Sequence, residues 1–388
     1  MKNMTKIIFF TFLTLALLIH VAIIFSGKQY LYKAVAQTYL KGRSGPTIDE
    51  YAAFPNRNIH VSNPQPWNIA SNYNKKKLSA RFDSIFKHYQ NVSFLVIQND
   101  SIVFERYDNE WDETKISNSF SMAKSILGAL TGIAIKEGKI QSVNQKVSDF
   151  IPEFRNDARH AITIKHLLTM TSGIAFDEDY VSPFAYPAQA YYGDDIRPLT
   201  LQYLQGKTPG TNYKYLSGDS QLLAFVLQQA TGMNISDYAA VKLWKYLGAE
   251  TDALWNLDHK NGFEKGFCCF HATARDFARL GKLYLQKGNF AGIQLIDTAF
   301  INESITSIAP IKNERNEVVD YYGYKWWLNQ YKNYQIFYMR GILGQYVICI
   351  PEKNAIIVRL GYKRDKETDD HAPLDFYHYI DAALTLID

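Results

Sequence analysis

A chain of 388 residues can bury a large core, and with 47% hydrophobic and 21% charged residues it reads as globular, neither disordered nor fibrous. The net charge of +4, with no dense Lys/Arg block interleaved with aromatics, argues against a nucleic-acid partner. Three cysteines are too few for a disulfide framework. A bridge between the neighbours Cys268 and Cys269 is expected to be strained, Cys349 sits in an apolar run suited to a free buried thiol, and a bridge from either neighbour to Cys349 needs an oxidising compartment.

Lys2 and Lys6 precede an almost unbroken apolar run from Ile7 to Phe25, which at about 1.5 Å per helical residue nearly crosses the hydrocarbon layer of a membrane. No clear Ala-x-Ala cleavage site directly follows it, so residues 1–26 read as a membrane anchor or uncleaved signal in preference to a cleaved one, with the lipid bilayer as the partner of residues 7–25. Lys28, Lys33, Lys41 and Arg43 on the far side oppose the positive-inside tendency and leave the orientation open. Residues 27–75, punctuated by Gly42, Gly45, Pro46, Pro64 and Pro66, read as a juxtamembrane stem.

Leu78 to Tyr89 has the pattern of an amphipathic helix. Val92 to Gln98 and Ser101 to Tyr107, joined by Asn99-Asp100, predict an antiparallel hairpin. After Ser121 the period changes: Met122, Ile126, Ala129, Leu130 and Ile133 mark a helix with one long apolar side, stopping near Gly138. Thr163 is placed to cap a helix that Leu167 and Leu168 bury and Gly173 ends. Phe176 to Pro198 is aromatic and broken by Pro183, Pro187 and Gly193, which suits a loop or small subdomain walling a cleft. Leu222 to Gln229, Ile235 to Leu247 and Ala274 to Gln286 look helical. Phe337 to Met339, Tyr346 to Ile350 and Ala355 to Leu360 predict an antiparallel meander, and Ala372 to Leu386 a closing helix. Strands at both ends with helices between them predict an α/β (α+β) domain over 76–388. Its antiparallel sheet is built from both ends of the chain and flanked by helices, with a mainly helical lobe inserted at about 121–290.

The chemistry centres on Ser121-Met122-Ala123-Lys124. Residues three apart on a helix share a face, so hydroxyl and amine lie near enough to exchange a proton, and the helix start supplies unpaired backbone donors for an oxyanion. The amine must be partly neutral to act as a base, which burial can achieve. By itself Ser-x-x-Lys equally describes a capping serine with a solvent-facing lysine.

Other segments join it in order. Thr163-Ile164-Lys165-His166-Leu167-Leu168-Thr169-Met170-Thr171-Ser172-Gly173 comes next. Pro209-Gly210-Thr211 then leads to Tyr215-Leu216-Ser217, and Thr273-Ala274-Arg275-Asp276 and the turn Gly341-Ile342-Leu343-Gly344 follow. Together with Ser121-x-x-Lys124 these make the chain, from about residue 80 to its end, resemble the serine β-lactamase and penicillin-binding superfamily. The similar branch is that of class C β-lactamases, DD-peptidase-like esterases and 6-aminohexanoate-dimer hydrolases. Gly344-Gln345, Tyr191-Tyr192-Gly193-Asp194 and the aromatic run Tyr321 to Trp327 look most like the last of these. The resemblance implies the β-lactamase/transpeptidase-like fold, an acyl-enzyme on Ser121, and Tyr215 facing the Ser121–Lys124 pair to share its proton traffic. It also implies work outside the cytoplasm on a small or peptide-like amide or ester.

Two departures bear on substrate. Ser217 stands where the family commonly has asparagine, and the segment Phe337 to Gln345 lacks the lysine or histidine of the family's third motif. Arg340 replaces that cation if it faces the cleft, and a backbone amide among Gly341, Ile342, Leu343 and Gly344 is a candidate to complete an oxyanion hole with that of Ser121. The register of the glycine turn decides both, and alternation leaves it open. These departures also admit a membrane-tethered binding or regulatory protein without turnover. DD-peptidase and esterase activities compete within the enzyme reading. His166 reads as a packing or capping residue. Cys268, Cys269 and His271 are too bunched for a zinc site, and no nucleotide fingerprint occurs, so no cofactor or metal is expected.

Overall fold

The computed structural model describes residues 2–387; Met1 and Asp388, the outer ends of the predicted anchor and of the predicted 76–388 domain, lie outside the described residues. Seven strands form the main sheet: β1 (Asn68–Ile69), β2 (Asn91–Gln98), β3 (Ser101–Tyr107), β4 (Trp327–Tyr331), β5 (Tyr334–Gly341), β6 (Gln345–Ile350) and β7 (Ala355–Gly361). Their order is β4-β5-β6-β7-β2-β3-β1. The two ends of the chain meet where β7 runs antiparallel to β2, with Val358 opposite Leu95. The hairpin through Asn99-Asp100 forms as its sequence predicts, both turn residues having positive φ.

The apolar run of β2 is continuous because both faces of the sheet are covered, and the two-residue period divides it. Leu95 and Ile97 join Val347, Cys349, Ile356 and Val358 in the core beneath the helix Ala274–Leu285. Phe94 and Val96 point the other way, with Ile348 and Ile357, against Phe86 of helix Ala80–His88 and Tyr379 of helix Leu374–Leu384. Each such side chain contributes roughly 1.5–3 kcal/mol. Gly281 lets its helix lie close to the sheet: a Cβ there would sit 3.0 Å from Cys349 Sγ. The sulfur is free and buried, as its apolar run suggests.

The helix after Ser121 spans Ala123–Lys136 and is buried from Ala123 to Ala134, so it lies inside the molecule rather than presenting one apolar side. Small residues permit this: a Cβ on Gly132 would fall 2.6 Å from Ile296. Helix Ser217–Thr231 is another element of the lobe. Thr163 caps its short helix, accepting from the His166 amide while His166 Nδ1 accepts from the Thr163 amide, so His166 closes a capping box.

The segment 27–75 differs from a stem. Helix Tyr30–Gln37 opens it, and Ile48, Phe54, Ile59 and Trp67 enter the main core. Asn56–Ile59 pairs with Ala253–Asn256 in a second, four-stranded sheet completed by Phe270–Ala272 and Ser117–Asn118. Its glycines and prolines break regular elements, but the apolar residues between them find partners roughly two hundred positions away. The segment Phe176 to Pro198 likewise contains the helix Tyr186–Tyr192. Strand β4 and the short strand Ala253–Asn256 were not expected from alternation.

Candidate active site

A cavity of about 720 Å³ opens between the end of β5 and the helical lobe, with Ser121 in its wall. Ser121 lies in the 3₁₀ turn Phe120–Met122 that leads into helix Ala123–Lys136. Phe120 takes φ +43, unusual for a bulky residue, and its amide is held by Asn118 Oδ1 at 2.8 Å. The Ser119 amide donates to Phe270 O at 2.7 Å. The turn is thus tied to the second sheet on the side that precedes Ser121.

Lys124 is 1% exposed, which excludes the solvent-facing reading. Its Nζ donates to Ser121 Oγ at 3.0 Å and to Phe267 O at 2.8 Å. Burial brings its pKa down to about 7, against the opposing pull of the Glu178 carboxyl. The ammonium also lies 5.1 Å above the Tyr215 ring. Burial pushes the Tyr215 phenol up to about 12, against the opposing effect of the nearby Ser121 hydroxyl. Trp327 fixes its ring at 5.2 Å.

Ser217 begins its helix and is 1% exposed. Its amide donates to Glu178 Oε2 at 2.8 Å, and its hydroxyl pairs with the Tyr180 hydroxyl at 3.2 Å. Tyr180 in turn donates to Glu178 Oε1 at 2.8 Å. Burial raises the Glu178 pKa, offset by Ser217, Lys124 and Tyr180. Sequence reading missed Glu178; its only signal was a place in the aromatic segment expected to wall the cleft.

Arg340 lines the cavity, which answers the question of its direction. Its guanidinium is nonetheless engaged: it stacks 3.5 Å from Trp327, donates to His371 O at 2.7 Å and pairs with Glu367 at 3.1 Å. Gly341 and Ile342 line the same cavity. A Cβ on Gly341 would lie 2.3 Å from Ser119 O, so glycine lets β5 approach the serine turn. Leu343 and Gly344 differ from expectation. Neither is among the cavity residues, both have positive φ, and their carbonyls accept from the buried Arg359 at 2.8 and 2.7 Å. They shape the turn, and Gln345 pins it through Ile342 O and Gly361 O.

Behind the site, Lys325 Nζ donates to Ser220 Oγ at 3.1 Å, and the Ser125 hydroxyl donates to Lys325 O. Burial lowers the Lys325 pKa while the nearby Asp219 opposes it. Cys268 and Cys269 form a disulfide with each other, next to the Phe267 carbonyl that holds Lys124. The bridge that sequence spacing disfavoured therefore exists, and neither sulfur is a thiolate available to His271. That histidine is buried, bonded to Asn256 Oδ1 at 2.9 Å and pushed down to about 3 by burial. Among the described residues no His, Cys, Asp or Glu cluster is arranged to hold a metal.

Residues 82–379 match the family model for beta-lactamase. The chain is 25% identical over 301 residues to 6-aminohexanoate-dimer hydrolase of Paenarthrobacter ureafaciens, covering 71% of this chain and 74% of that protein. It is 28% identical over 165 residues to Protein flp of Staphylococcus aureus, covering 39% of this chain but only 32% of that protein. Its fold is similar to that of a Bacillus anthracis protein provisionally assigned as a 6-aminohexanoate-dimer hydrolase, with a TM-score of 0.72 at 21% identity over 87% of this chain and 93% of that one. A family VIII carboxylesterase superposes with a TM-score of 0.65 at 18% identity, over 83% of this chain and 99% of that one.

Proposed function

The chain belongs to the beta-lactamase family of hydrolases, and on that premise we propose that it cleaves an amide or ester through an acyl-enzyme on Ser121. The observation that carries this reading is the buried Lys124 amine, 3.0 Å from Ser121 Oγ with its pKa near 7. About half of it is neutral at neutral pH, so its lone pair accepts the serine proton as Oγ bonds to the substrate carbonyl carbon. Phe267 O holds the amine in place. Tyr215, raised to about 12, remains protonated and relays rather than abstracts: it passes the proton from the Lys124 ammonium to the leaving nitrogen or oxygen as that bond breaks. The developing oxyanion is met by the Ser121 amide at the helix start and an amide of the Gly341–Ile342 edge. Water then attacks the ester carbonyl, losing its proton to Lys124, and Ser121 is released as the acid departs.

The engaged Arg340, in a segment without the lysine or histidine that the family resemblance led one to expect, and the serine at position 217 do not favour β-lactams. Linear amides and simple esters fit better, in line with the relative named 6-aminohexanoate-dimer hydrolase. The Cys268–Cys269 disulfide accords with a domain outside the cytoplasm, tethered through residues 7–25. Purified protein assayed on p-nitrophenyl esters, nitrocefin, D-Ala-D-Ala peptides and short linear amides should hydrolyse at least one of them. That activity should vanish in Ser121→Ala and in Lys124→Ala; hydrolysis persisting in either variant rejects the mechanism.

A further inference from the structure

The helix Lys2–Phe25 contains a 22-residue apolar stretch, Met4–Phe25, none of it buried in the protein. At about 1.5 Å per residue it matches the roughly 30 Å hydrocarbon layer. Only residues 26–29 separate it from helix Tyr30–Gln37, and the Tyr32 hydroxyl reaches back to share a hydrogen bond with His20 Nδ1 at 2.7 Å. That second helix does not stand clear of the active site. Ala34, Thr38, Tyr39 and Pro46 belong to the cavity wall that also contains Ser121. Tyr30 OH donates to Pro183 O at 2.9 Å, and the Lys28 ammonium lies 4.5 Å over the Phe184 ring. The segment leaving the apolar helix is thereby fastened to the loop on the opposite lip of the cleft.

Both lips expose apolar side chains. Tyr39 is 71% and Leu40 77% exposed on one, Val181 92% and Phe184 52% on the other. The exposed Lys41 and Arg43 follow Tyr39 and Leu40 on the first lip, and the exposed Asp179 precedes Val181 on the second. Apolar side chains on both lips with cations on the one nearer the membrane-length helix suit an interface with anionic headgroups.

We propose that this rim rests on the bilayer that the N-terminal helix enters, and that the cleft takes its amide or ester from that bilayer, as an amphiphile carrying an acyl chain. The proposal rests on Ser121 being the nucleophile and on the N-terminal helix being retained. Tyr39 and Val181, which belong both to the rim and to the cavity wall, give the acyl chain a continuous apolar path inward.

The test uses the full chain in vesicles of equal parts phosphatidylcholine and phosphatidylglycerol, with 4-methylumbelliferyl palmitate in the bilayer or 4-methylumbelliferyl acetate in solution. Neither Leu40 nor Phe184 is among the cavity residues. Leu40→Glu combined with Phe184→Glu should therefore lower palmitate turnover by about tenfold or more and leave acetate turnover within about twofold. Equal loss on both esters, or loss on neither, overturns the proposal. A readout independent of turnover is an environment-sensitive dye on Leu40→Cys, a single exposed thiol because Cys349 is buried and Cys268 and Cys269 are bridged. Nitroxide lipids should quench it, and an unquenched dye overturns the docking. A quenched dye with neither these esters nor short linear amides hydrolysed upholds the docking surface and rejects the hydrolase reading instead.

Discussion

At the scale of single residues, the proposed mechanism makes Lys124 the group on which both activity and stability turn. Its folded pKa of about 7 lies below the ordinary 10.5, so the neutral form is the one the fold favours. The value of kcat/KM should rise with pH, reach half its plateau near pH 7 and stay high above it; a profile flat from about pH 5 to 9 contradicts Lys124 as the base. The unfolded chain keeps its lysine protonated up to about pH 10.5, so burial of the amine costs most below the folded pKa and nothing above the unfolded one. Lys124→Met should abolish turnover yet unfold at a higher temperature than wild type at pH 7, by a margin that shrinks as pH approaches 10.5. With Tyr215, raised to about 12, as the proposed relay, Tyr215→Phe should lower kcat by about 10²–10⁴-fold with KM little changed, measured on any substrate the wild type hydrolyses.

At the scale of elements, the approach of β5 to the serine turn is the sensitive contact. Gly341→Ala places a methyl against Ser119 O, two residues before Ser121, and the strand or the turn must move. A displacement near 1 Å costs on the order of 10²-fold in kcat, so this small substitution should cut activity while circular dichroism stays unchanged. This element also shows what the sequence could and could not reveal. Ser121-x-x-Lys124 and the Thr163–His166 capping box were legible because both partners lie within one helical turn. The glycine turn was recognisable as a turn, but which of its residues reach the cavity depends on Arg359, a strand away, drawing the carbonyls of Leu343 and Gly344 to itself. Glu178 and the Phe267 carbonyl were invisible for the same reason: the Lys124–Phe267 bond joins positions 143 apart, and no local pattern encodes it.

At the scale of the whole molecule, the sheet built from both chain ends was readable, since period-two strands bracket a helical middle. The packing of residues 46–70 was not, because Gly and Pro punctuation conceals a strand whose partner is Ala253–Asn256. A chain beginning near residue 70 would lose Ile48, Phe54, Ile59 and Trp67 from the core. At roughly 1.5–3 kcal/mol each, that loss rivals the ~5–15 kcal/mol that holds a typical domain folded. Such a truncation should be aggregated or molten by near-ultraviolet circular dichroism, whereas one beginning near residue 28 should retain a cooperative transition.

All three scales converge on one atom, Ser121 Oγ, held by Lys124 in a cavity walled from both chain ends. Incubation with a fluorophosphonate followed by peptide mass spectrometry reads that atom directly. The expected result is a single adduct on the peptide containing Ser121, formed faster as pH rises through about 7 and absent from Ser121→Ala. Labelling of another residue, or labelling undiminished in Ser121→Ala, would contradict the account.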